Sequence, residues 1–122
     1  MTEIIAARLF KARGGTPVAA RIYAPQRMGR SSEWSCTVEI EGLESPFKKR
    51  VIGVDSFQAL ELGLSLLSAH IDKVATTLTF LDGPEGDAAT PLIVSWSYSP
   101  ALKSEVYRLI DGKIKEELDA GR

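Results

Sequence analysis

The sequence predicts an α+β domain, an antiparallel sheet of four to five strands packed by one long helix, in the order ββββαβα. Three observations carry that expectation. Trp34 to Ile40 alternates apolar and polar residues without a break, the period of a strand buried on one face. From Asp55 onward the period changes to steps of three and four, which is the period of a helix. Glycine, proline and small polar residues separate the apolar segments on either side, as turns require.

Taken in order, Ile4 to Phe10 and Val18 to Ala24 are apolar-rich segments joined by Arg13-Gly-Gly-Thr-Pro17, which supplies the positive-φ residues of a hairpin loop. In the second segment Val18, Ala20 and Ile22 fall on one face and Arg21 and Tyr23 on the other. Pro25 to Ser32 is expected to be a polar loop. In the next strand Trp34, Cys36, Val38 and Ile40 point inward, while Ser35, Thr37, Glu39 and Glu41 point outward. A turn at Glu41 to Pro46 leads to a fourth strand, Phe47 to Val54, whose Lys48-Lys-Arg50 cluster blunts its first half.

Asp55 followed three residues later by Gln58 has the spacing of a capping box, so a helix is expected from about Ser56. Phe57, Leu60, Leu64, Leu67, Ile71, Val74 and Leu78 fall on one stripe that must face a core, with Leu62 and Leu66 widening it. The run is expected to end at Leu81-Asp-Gly-Pro84, or earlier, because Thr76, Thr77 and Thr79 are β-branched. Pro91 to Tyr98 alternates Leu92, Val94, Trp96 and Tyr98 with smaller or polar residues and predicts a fifth strand. Ser99 before Pro100 then predicts the start of a second helix, with an apolar stripe of Leu102, Val106, Leu109, Ile110, Ile114 and Leu118. Gly112 is expected to weaken that helix, and Glu116 to Arg122 to fray.

A length of 122 residues is about one domain, so residues 1–122 are taken as a single one. Net charge is -1, which removes the simplest case for a nucleic-acid protein. No apolar run has the length of a membrane span, and the N-terminus lacks the pattern of a secretory signal. Cys36 is the lone cysteine, so an intrachain disulfide is excluded and a cytoplasmic location is expected.

Candidate chemistries are few. Cys36 and His70 are the one available thiol–imidazole pair, but the alternation puts Cys36 beside Trp34 and Val38 in the core, where a thiol is inert. A zinc site lacks a His/Cys spacing to build on. Gly83 to Asp87 is too short for a calcium loop. Asp55 is accounted for as a helix cap, and Arg13-Gly-Gly-Thr16 lacks the Gly-Lys-Ser/Thr of a phosphate loop. No catalytic residue, cofactor or metal is therefore expected.

Trp34-x-Cys36, Ile40-x-Gly42-Leu43 and Gly53-x-Asp55-x-x-Gln58-Ala59-Leu60 together resemble a family of short bacterial proteins of unknown function. The likeness spans roughly residues 34–67. That family often has Pro after the Cys, where this chain has Thr37, and many members end soon after the long helix. The resemblance therefore implies that the C-terminal strand and helix are an extension. It implies no reaction, ligand or catalytic residue.

The function expected from these observations is non-enzymatic: a small cytoplasmic bacterial interaction or accessory domain, possible in an immunity-like role, that associates with itself or another protein. Trp96, Tyr98, Leu102, Val106 and Ile110 are the expected interface. The alternative is a nucleic-acid-binding module that uses a basic sheet face of Arg8, Arg21, Tyr23, Lys48 and Arg50.

Overall fold

A computed structural model of the chain describes residues 3–90 and 99–121. The predicted fifth strand, with Trp96 and Tyr98, lies outside the described residues. Within them the fold is α+β. The strands are β1 (Ile4–Ala12), β2 (Pro17–Tyr23), β3 (Gln26–Arg27), β4 (Trp34–Glu41), β5 (Phe47–Gly53) and β6 (Leu78–Thr79), and the helices are α1 (Ser56–Val74) and α2 (Pro100–Ala120).

All strand pairings are antiparallel. The four long strands lie side by side as β5, β4, β2, β1. β3 continues the line of β2 along β4, pairing Gln26 with Ser35 and Arg27 with Trp34, and β6 pairs only with Lys11 and Ala12 of β1. These two short strands fall where the sequence suggested a loop and a helix. Gln26 and Arg27 pair because the chain leaving β2 runs alongside the still-open start of β4.

Register fixes which side chains share a face. Phe10 stands opposite Val18, Arg8 opposite Ala20 and Ala6 opposite Ile22. Across β2 and β4, Ala20 meets Ile40 and Ile22 meets Val38. Val18, Ala20, Ile22, Cys36, Val38 and Ile40 are all buried and form the helix side of the sheet. Arg8 belongs to that side. The basic outer face drawn from the sequence is corrected here, since Arg8 is separated by the sheet from Arg21, Tyr23 and Lys48.

α1 opens as its sequence suggests. The Asp55 carboxylate accepts a hydrogen bond from the Gln58 backbone N–H at 2.8 Å, and the Gln58 amide oxygen reaches back to the Val54 N–H at 2.6 Å. The buried stripe of α1 differs from the predicted one. Ala59, Gly63, Leu67 and Ile71 are its buried apolar contacts, whereas Leu60, Leu64, Leu66 and Val74 pack at its sides. Phe57, expected in the core, is 77% exposed. The physical reason is close approach: a Cβ on Gly63 would stand 2.9 Å from the Cys36 Sγ, and one on Gly53 would press on the backbone of Gln58 and Ala59. The helix backbone comes down to the sheet where its side chains are smallest, which turns Phe57 outward.

The regular helix stops at Val74, followed by a 3-10 turn over Ala75–Thr77. The threonines end it early, as β-branching favours, and Leu78 enters the core from β6 instead of from the helix. Leu81 and Asp82 take positive φ in the following turn, so the reversal is made there and not at Gly83. Glu85 then holds Arg13 through hydrogen bonds of 2.8 and 3.2 Å, which fastens this loop to the β1–β2 turn.

α2 begins at Ser99, whose hydroxyl accepts from the Leu102 N–H at 3.1 Å, with Pro100 in the first turn. It runs unbroken through Gly112 to Ala120. Gly112 therefore does not end the helix, and Lys113 bridges Glu116 and Glu117 one turn further on.

Candidate interaction surface

The outer sheet face gathers the residues expected to bind a polyanion, but it also gathers their counterions. Arg21 donates to Glu41 at 2.9 Å and to Glu39 at 3.2 Å. Tyr23 donates its hydroxyl to Glu39 at 2.8 Å, and Lys48 stands 3.9 Å from the same carboxylate. The Tyr23 hydrogen bond, followed by that of Arg21 and the charge of Lys48, holds the Glu39 carboxyl below its ordinary pKa. Tyr23 is pushed up in return, first by that same hydrogen bond. Two of the three basic residues on this face are thus engaged with carboxylates. Arg50, opposite Thr37, is exposed.

The thiol and the imidazole are not brought together as a catalytic pair. Cys36 is buried between β4 and Gly63, with its Sγ donating to the Tyr23 carbonyl at 3.5 Å. Burial pushes its pKa up, the opposite of what a nucleophilic thiolate needs. His70 instead stacks on Phe47, ring centroids 3.9 Å apart and planes 17° from parallel. Burial, and then the charge of Lys73, lowers its pKa. Among the described residues no three His, Cys, Asp or Glu side chains are grouped to hold a metal. Asp87, in the acidic loop, accepts from the Ala89 N–H.

What the fold does build is a cleft beside α1. Its floor and walls are Ala6, Ala20, Ile22, Leu64, Leu67 and Ile71, with a volume of about 280 Å³. α1 lies over β4 and β5 and only grazes β2, and Ala20 and Ile22 of β2, both buried, line the floor of the cleft. Arg8 stands at the rim. Its guanidinium lies 4.5 Å above the Phe80 ring and donates to the carbonyls of Ala88 and Ala89, which draws the end of the loop against β1. No strand pattern reveals this cleft, because it arises from how far α1 reaches across the sheet.

α2 is the second unusual surface. None of its 21 residues is buried. Leu102, Leu109, Ile114 and Leu118 are exposed, Leu109 and Leu118 each at 64%, and Val106 and Ile110 are half-buried. Of the residues expected at an interface, Leu102, Val106 and Ile110 share this helix, and Trp96 and Tyr98 lie outside the described residues. Among the described residues no helix is long and apolar enough to cross a membrane.

Comparison with known proteins places this architecture in a family without giving it an activity. No curated protein and no solved structure matches the chain. A family model described as a domain of unknown function, DUF6968, matches residues 6–92, which take in the whole sheet from Ala6 onward together with α1, and stop before α2. That is consistent with the uncharacterised family that the motifs between Trp34 and Leu67 resemble. The chain belongs to the family of the domain of unknown function DUF6968.

Proposed function

We propose that this protein is a non-enzymatic interaction domain that associates with a second copy of itself through the apolar stripe of α2, as an accessory protein of the bacterial cytoplasm. One observation carries the proposal: a helix of 21 residues that buries none of them and exposes Leu102, Leu109, Ile114 and Leu118. An exposed contiguous apolar stripe is a cost that monomeric proteins avoid, and it is removed when a partner covers it. Trp96 and Tyr98, just before the helix in sequence, are the aromatic residues that such an interface favours.

The chemistry of the rest of the molecule supports a binding role over a catalytic one. The buried thiol is held protonated, His70 is stacked on a phenyl ring, and Asp55 is engaged as a cap. A polyanion-binding role is weakened by Glu39 and Glu41, which occupy Arg21 and meet Lys48. It predicts salt-sensitive retention on a phosphate-bearing column, lost in Arg21→Glu; an interaction domain of the kind proposed passes through.

The proposal is tested by comparing the mass in solution of the chain with that of a Leu109→Glu/Ile110→Glu variant. The unaltered chain is expected at twice 13.3 kDa and the variant at 13.3 kDa, with circular dichroism showing both folded. Equal masses for the two overturn the assignment to α2.

A further inference from the structure

The apolar residues of α2 are spaced symmetrically about its middle. The helix runs over 21 residues from Pro100 to Ala120, so Ile110 is its central residue. Val106 and Ile114 stand four residues to either side of it, and Leu102 and Leu118 stand eight to either side. Reversing the direction of the helix therefore maps this row onto itself. Leu102, Ile114 and Leu118 are exposed and Val106 and Ile110 half-buried, and among the described residues α2 makes no extensive contact with the sheet or with α1.

A row with a constant step of four is one of the ridges by which helices pack. Two such ridges interdigitate when the helix axes cross at about 50°. Each step of four turns about 40° around the axis, so the row winds with the crossing, whereas a coiled-coil seam needs alternating steps of three and four.

Charge selects the direction of the crossing. Residues 100–109 carry two basic side chains and one acidic, and residues 111–120 carry two basic and four acidic. The ion pairs within the helix, Glu105 with Arg108 and Lys113 with Glu116 and Glu117, each join residues of the same half and leave the net signs unchanged. An antiparallel pair sets unlike halves against each other, and a parallel pair sets like halves together. Between exposed charges this difference decides orientation more than strength.

We propose that α2 of one copy crosses α2 of a second copy antiparallel at Ile110, with Val106 of each helix facing Ile114 of the other. This rests on the self-association proposed above and names the surface that covers the stripe, which is the same row of the second helix. A residue on a two-fold axis meets its own copy, so the contact is isologous and closes at two.

Disulfide trapping between chains reads the crossing directly. Packed helix axes lie about 8–10 Å apart and Cα atoms about 2.3 Å from each axis, so facing Cα atoms at the crossing come within about 5 Å, in reach of a disulfide. Cys36 is 1% exposed and stays silent. Under mild oxidation, Ile110→Cys is expected to give a cross-linked species of twice the chain mass by itself. Val106→Cys and Ile114→Cys are expected to do so when mixed and not singly. Arg108→Cys, on the opposite side of the helix from Ile110, is expected to give none, with circular dichroism checking that each variant folds.

Links formed by Val106→Cys alone and by Ile114→Cys alone show a parallel pair and overturn the proposal. A dimer in which Ile110→Cys forms no link, or in which Arg108→Cys does, overturns the crossing and leaves self-association standing. A chain that stays monomeric overturns both.

Discussion

Glu39 is the residue on which the outer sheet face turns. It receives Tyr23, Arg21 and Lys48, and its carboxyl is lowered chiefly by the Tyr23 hydroxyl. A carboxyl lowered in the folded state contributes stability that is present above its unfolded pKa and lost as pH falls through the folded value. Tyr23→Phe is expected to raise the Glu39 titration midpoint toward that of an ordinary carboxylate, read by carbon NMR of the side chain; an unmoved midpoint would show that Arg21 and Lys48 suffice. His70 works in the same direction by a different cause. Its pKa is lowered by burial against Phe47, so its contribution is complete above the unfolded imidazole value and fades on acidification. Much of this was readable one residue at a time: the alternation from Trp34 to Ile40 gives Glu39 its outward side and Cys36 its buried one. Arg8 was misplaced although alternation carried the signal: it lies two residues from the buried Phe10 in the regular stretch Ala6 to Lys11, beyond the register shift between Ile4 and Ala6, and so shares the Phe10 side opposite Ala20.

At the scale of elements, the α1 start was legible because caps are local chemistry. Asp55→Ala is expected to cost about 1 kcal/mol in chemical denaturation, while Asp55→Asn, which caps as well, should stay close to the unaltered chain. An equal loss in both would mean that the charge of Asp55 matters more than the cap. The face of α1 was misjudged for a reason that large apolar residues conceal. Its closest contacts are Ala59 and Gly63, and the Gly63–Cys36 crossing sets the distance of the helix from β4. Gly63→Ala is expected to destabilise the protein by roughly 1–3 kcal/mol through overpacking, less the helix propensity that Ala restores. In a Cys36→Ala background the same change should cost clearly less, since the nearest atom is gone. Additive effects of the two changes would show that the crossing is not tight there.

At the scale of the molecule, the contrast between a covered sheet and an uncovered α2 is the deciding comparison. α1 packs mainly on β4 and β5, the inward residues Phe10, Val18, Ala20 and Ile22 of β1 and β2 are buried all the same, and no residue of α2 is buried. The sequence displays the α2 stripe plainly, from Leu102 to Leu118, but it does not display the cleft, which exists only once the strands are ordered β5, β4, β2, β1 and α1 is set over one end. The most direct measurement of the account is sedimentation equilibrium of the unaltered chain over a wide range of concentration. Self-association predicts a mass that rises to twice 13.3 kDa and no further, because an isologous contact through α2 closes at two. A constant 13.3 kDa at every concentration would contradict it.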